Sequence, residues 1–133
     1  MSDSQVSNRE IDWFLEFFVS IANQGVTLGI TLNVHGTLIS GNLIGGKEYF
    51  ELLSKSLVDS GSDMGKALAA AVVQGKDRYD QSIQEEPVNF HYIHLKNAKV
   101  FNSNKNPMPT DGMLWRGRLN SVDGFTIGEL SVD

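Results

Sequence analysis

The sequence predicts an α+β fold: a small, strongly bent five-stranded antiparallel sheet or open barrel, with an N-terminal helix and a helical insertion between strands two and three. Three observations carry this reading. Apolar residues recur at helical spacing from Ile11, and Val26 to Val34 alternates apolar and polar side chains without a break. After residue 87, runs rich in β-branched and aromatic residues follow one another with turn-forming residues between them. A chain of 133 residues makes one domain, 1–133, with the insertion at about 46–87.

Ser7-Asn8-Arg9-Glu10 reads as a capping box, the Ser7 hydroxyl meeting the Glu10 N–H while the Glu10 carboxylate reaches back. Ile11, Phe14, Leu15, Phe18, Ile21 and Ala22 then form one helical face ending near Asn23, with Gly25 as the stop. Trp13 and Phe17 widen that face and are expected to pack on the sheet, the other reading being an interface patch.

In the first strand Val26, Leu28, Ile30, Leu32 and Val34 share a face, and His35-Gly36 turns the chain. Thr37 to Ile44 returns as a second strand in which Gly41 marks a bulge or a close backbone approach. Gly45-Gly46 ends this hairpin. Tyr49, Phe50, Leu53 and Leu57 define a second helix to about Val58, and a third runs from Met64 with its stop or weak point at Gly75. Lys76 to Glu86 reads as a polar surface connection or a frayed extension of that helix. Val88 to Phe101 is the third strand, bent at Asn97-Ala98, and Asn102 to Gly112 is a loop. Met113 to Leu130 is expected to close the fold as a hairpin turning at Asp123-Gly124.

Composition narrows the chemistry. Without Cys there is no disulfide, no thiolate metal site and no cysteine nucleophile. The polar, acidic start predicts no signal peptide, and no apolar run reaches the ~18–20 residues that span a bilayer, so the expected location is the cytoplasm. A net charge of −5 argues against general nucleic-acid binding. Charge is uneven: residues 1–46 carry one Arg against four acids, whereas 87–133 carry five bases against four acids.

Candidate sites are few. His91 and His94 have H-x-x-H spacing, but residues three apart on a strand point to opposite faces, so they read as strand residues, one of them partly buried and hydrogen-bonded. Gly45-Gly46-Lys47 lacks the spaced glycines and following hydroxyl of a phosphate loop, and Ser40 lacks a nucleophile elbow. Glu85-Glu86 reads as solvated surface. Trp115, Arg116 and Arg118 are the densest aromatic-cationic group, yet a strand sends Trp115 to the core side and both Arg to the other. Arg116 and Arg118, with Lys96 and Lys99 on the third strand, are therefore the candidate interaction residues. No catalytic, metal or cofactor residues are assigned.

The order helix, strand, strand, insertion, strand, strand, strand resembles an Sm-like fold, with GVTLGITLNVHGTLISGNL, IHLKNAKV and LWRGRL in the corresponding places. The insertion replaces one of the two loops that bind nucleotides in Sm-like rings, so RNA binding does not carry over. A closer likeness lies in NVHGTLISG with KEYFELLS, HYIHLKNAKVF and LWRGRLNSVDGFTIGELS, which resemble the gas vesicle accessory protein U (GvpU) family over residues 33–54 and 92–131. This resemblance implies a cytoplasmic non-enzyme, an accessory factor in gas vesicle formation, organisation or clustering rather than a shell protein. Its partners would be gas vesicle proteins or the vesicle surface, with homo-oligomers expected and neither nucleic acid nor membrane. The alternative is an Sm-like oligomeric RNA- or nucleotide-binding module.

Overall fold

The computed structural model describes residues 11–85, 91–101 and 107–130. The elements are α1 (Trp13–Ala22), β1 (Leu28–Val34), β2 (Thr37–Ile44), α2 (Gly46–Asp59), α3 (Asp63–Glu85), β3 (Tyr92–Phe101), β4 (Pro107–Arg118) and β5 (Gly124–Ile127), with a 3-10 turn at Leu119–Ser121. The strands form one antiparallel, unclosed sheet in the order β4-β3-β2-β1-β5. The capping box expected at Ser7 to Glu10 lies outside the described residues. Asp12 caps α1, its Oδ1 accepting from Phe14 N at 2.9 Å.

β1 and β2 pair from Leu28↔Leu43 to Val34↔Thr37 around a His35-Gly36 turn whose φ angles of 54° and 92° match a type I′ hairpin. Gly41 behaves as expected. The β2–β3 register shifts between Ser40 and Asn42, and a Cβ on Gly41 would lie 2.9 Å from both Ala98 Cα and Lys96 O. Only a residue without a side chain lets β2 and β3 approach so closely. On β3 the bend falls at Asn97, where φ is 54°.

The expected closing hairpin does not form. β5 pairs with β1, from Ile30↔Ile127 to Asn33↔Gly124, and β4 pairs with β3. Leu119–Ser121 forms a 3-10 turn between them, and Asp123 N donates to Asn33 O at 2.8 Å, so the chain steps from one edge of the sheet to the other. In a flat sheet those edges would stand about 19 Å apart. Six Cα steps, three of them in a 3-10 turn, reach roughly 16 Å at most. The sheet must therefore curl, which brings its two edges together without joining them.

Two further expectations change. α3 runs through Gly75 to Glu85 as one 23-residue helix. The missing side chain there is filled by Phe50 of α2, whose ring would lie 3.6 Å from a Cβ at that position. β4 begins at Pro107, so residues 107–112 are strand and not loop: Met108 pairs with Val100, and Gly112 takes a φ of 82° beside the Asn97 bulge.

The two sheet faces are covered differently. On the concave side Leu15, Val19 and Ala22 of α1 pack on Ile30, Leu32, Ile39, Leu43, Ile93, Leu95 and Ala98, with Leu119 closing one end and Trp115 half-buried beside them. Trp115 thus lies on the core side, as strand alternation requires. On the other side the α2–α3 hairpin lies over the β2–β3 region, burying Ile44 and His94.

Candidate functional site

Three groups of side chains stand out: the polar cluster under the α2–α3 hairpin, the four basic residues of β3 and β4, and the aromatic side of α1.

The cluster centres on His94, which alternation on β3 points away from the core and which is only 1% exposed. The ring centroids of Tyr49, Tyr79 and Phe50 stand 4.8, 5.6 and 6.1 Å from its imidazole. Arg116, opposite it on β4, donates from Nε to His94 Nε2 at 3.2 Å. Burial first, and then the Arg116 charge, hold His94 down at about 3 from its usual 6.5. It is neutral at any physiological pH. Burial also raises the Tyr49 and Tyr79 hydroxyls above their ordinary value. Tyr79 donates to Asn23 Oδ1 at 2.7 Å, which also accepts from Gly46 N at 3.2 Å, tying α3 and the start of α2 to the end of α1. The cluster has the make-up of a fastening: rings, one guanidinium and one neutral imidazole packed against each other.

The four basic residues do not converge on one point. Lys96 Nζ lies 2.8 Å from Glu48 Oε2 of α2, and the Arg116 guanidinium sits 3.8 Å above the Tyr92 ring. Both serve contacts within the chain. Arg118 is exposed, beside an open hollow that it lines with Ile11, His91, Tyr92 and Asn120. Lys99 lies opposite Ser40, past the Asn97 bulge. Of the H-x-x-H pair, His94 is buried and hydrogen-bonded to Arg116, and His91 lies exposed just before β3.

The aromatic side of α1 departs most from expectation. Trp13 and Phe17 do not pack on the sheet: they are 75% and 51% exposed, and Phe14, assigned to the core face, is 45% exposed. Of the expected face, Leu15 and Ala22 are buried and Ile11 and Phe18 pack against the core; Val19 joins them and Phe14 drops out. The rings form a connected surface cluster. Trp13 to Phe14 is 5.5 Å between centroids, Phe14 to Phe18 is 4.9 Å and Phe17 to Phe18 is 5.4 Å. Phe125 of β5 extends it, 5.8 Å from Phe14. A signal for this was present in the sequence: Trp13-Phe14-Leu15-Glu16-Phe17-Phe18-Val19 is apolar around nearly the whole helix, and one sheet face covers only one side.

Among the described residues no group of His, Asp or Glu is arranged to hold a metal, and no helix is long and apolar enough to cross a membrane. A family model described as "Gas vesicle protein GvpU-like" matches residues 12–130. No curated protein and no solved structure matches the chain.

Proposed function

The chain belongs to the GvpU-like gas vesicle protein family, and from that premise we propose that it is a non-enzymatic accessory protein working in the cytoplasm through protein–protein contacts with gas vesicle proteins or the vesicle surface. The observation that carries this reading is the exposed ring cluster of Trp13, Phe14 and Phe17 on α1. Single exposed apolar residues are ordinary, but a contiguous aromatic cluster is costly in water and marks a contact surface. The titratable cluster at His94 is absorbed in holding α2–α3 to the sheet, which leaves contact chemistry as the stronger reading. Arg118, opposite Tyr92 at the start of β3, and Lys99, opposite Ser40 near its end, are two separate basic points to which we assign a secondary contact role.

An Sm-like fold draws support from the meander β1 to β4 with β5 returning beside β1, and the two open edges leave room for association of copies. The test of function is flotation. Purified chain is mixed with isolated gas vesicles and the buoyant layer is collected. Chain recovered with the vesicles supports the reading, and chain that stays wholly in the lower phase contradicts it.

A further inference from the structure

We propose that the α1–β5 aromatic face is a docking site for an amphipathic helix of a partner protein whose apolar stripe is flanked by Lys and Arg. The inference rests on the reading above that the chain acts through protein contacts, and names the chemistry of the partner.

Two independent features point to this occupant. The first is shape and polarity. α1 is ten residues long and presents Trp13 and Phe17, four apart and therefore on one line of the helix, beside Phe14. Phe125 and Ile127 share a face of β5, and Ile127 is 50% exposed. Such a surface accepts the apolar stripe of a second helix, with large rings filling the partner's grooves.

The second feature is charge. Residues 11–46 and 119–130 contain no Lys or Arg at all. They build α1, β1, β2, the 3-10 turn and β5, so among the described residues the elements that carry the rings contribute no cationic side chain, while Arg118 of β4 lines a hollow with Ile11 just before α1. What charge stands there is acidic: Asp12 and Glu16 flank Trp13 and Phe17 on α1, and Asp123 precedes β5. The nine described Lys and Arg all lie on α2, α3, β3 and β4. An apolar surface edged by carboxylates complements a cation-edged partner and repels an anion-edged one.

The same arrangement disfavours two other occupants. A lipid surface is held by Lys and Arg beside the apolar face, and anionic headgroups would be repelled here. An antiparallel two-fold pairing of α1 with its copy would bring Glu16, near the middle of the helix, close to Glu16 of the second copy.

The experiment uses the full chain and two synthetic helices of about 18 residues, long enough to fold on a surface. Both have a Leu stripe; one is flanked by Lys and the other by Glu. Binding is followed by the anisotropy of a dye on each peptide. The Lys-flanked helix is expected to bind at least about tenfold more tightly than the Glu-flanked one, with that margin shrinking as salt is raised. Trp13→Ala with Phe17→Ala is expected to weaken binding of the Lys-flanked helix about tenfold or more. Both substitutions are at exposed positions, and a circular dichroism melt confirms that the variant is folded. A second variant, Glu16→Lys, keeps every ring and should lower the preference for the Lys-flanked helix.

Equal affinity for both peptides, no binding of either, or unchanged binding by the folded double variant would overturn the proposal. So would binding of anionic lipid vesicles in place of the peptides, or ring-dependent self-association of the chain seen by light scattering without peptide. Because the peptides need no vesicle, these outcomes are separate from flotation: chain that floats with vesicles but ignores the peptides loses this partner and keeps the functional reading.

Discussion

Arg116 donates from Nε to Nε2 of His94 across 3.2 Å, while its guanidinium lies 3.8 Å over the Tyr92 ring. The bond requires His94 to be neutral, with its ring proton on Nδ1. A charged imidazole, almost wholly buried, would face the guanidinium charge.

This pair makes stability depend on acid. Burial and the Arg116 charge hold His94 at about 3 in the folded chain, below its ordinary 6.5, so between those values the unfolded chain binds a proton that the folded chain does not. The contribution is nil above about pH 6.5, and stability falls as pH drops through the window, by up to roughly 1.4 kcal/mol per pH unit. Urea midpoints measured from pH 7 to pH 4 should fall accordingly, and His94→Leu should flatten the dependence. An equal slope in that variant would remove His94 as its cause.

Gly46 and Tyr79 make a second test. A Cβ on Gly46 would run into the Tyr79 ring, the side chain whose hydroxyl is bonded to Asn23. Gly46→Ala should destabilise by about 1–3 kcal/mol through overpacking. Tyr79→Phe keeps the ring and loses only the hydrogen bond, for about 1 kcal/mol. Chemical denaturation that ranked Tyr79→Phe as the worse of the two would contradict this packing.

Asp123 fastens the return strand. Its Oδ2 accepts from His35 N at 2.7 Å and lies 3.3 Å from His35 Nδ1. Asp123→Ala should therefore loosen β5 before the rest of the sheet, at a cost of about 1–2 kcal/mol. Hydrogen exchange should speed up at Phe125 to Ile127 and stay slow at Leu32 and Leu43. Uniform acceleration along β1 and β2 would show that the contact is not local.

Lys96 and Glu48 should matter little to stability despite their short contact. Both side chains are about a third exposed, at 32% and 35%, and pairs in that setting contribute no more than about 1 kcal/mol. Lys96→Met is expected to shift the denaturation midpoint less than Tyr79→Phe does.

Much of the fold was readable from residue pattern. The β1–β2 hairpin, the Gly41 approach and the Asn97 bend follow from alternation and its interruptions, which are local properties. The partner of the last strand was not readable. Asp123-Gly124 carries hairpin chemistry, yet the 3-10 turn before it and the curl of the sheet hand β5 to β1, a choice made by the whole sheet. Gly75 misled for a similar reason, since the Phe50 ring supplies from another helix what glycine withholds from its own. The candidate site followed the same division. The basic residues were visible as a charge pattern. The exposure of Trp13 and Phe17 was not, because helical period shows that an apolar face exists and only packing shows which part of it is covered.

The central claim is that contact with gas vesicles runs through the aromatic side of α1. It is tested most directly by floating three chains with isolated vesicles: the unaltered protein, Trp13→Ala with Phe17→Ala, and Lys99→Ala with Arg118→Ala. The account predicts that the unaltered chain and the basic-residue variant rise with the vesicles while the folded aromatic variant stays below. An aromatic variant that rises as fully as the unaltered chain would contradict it.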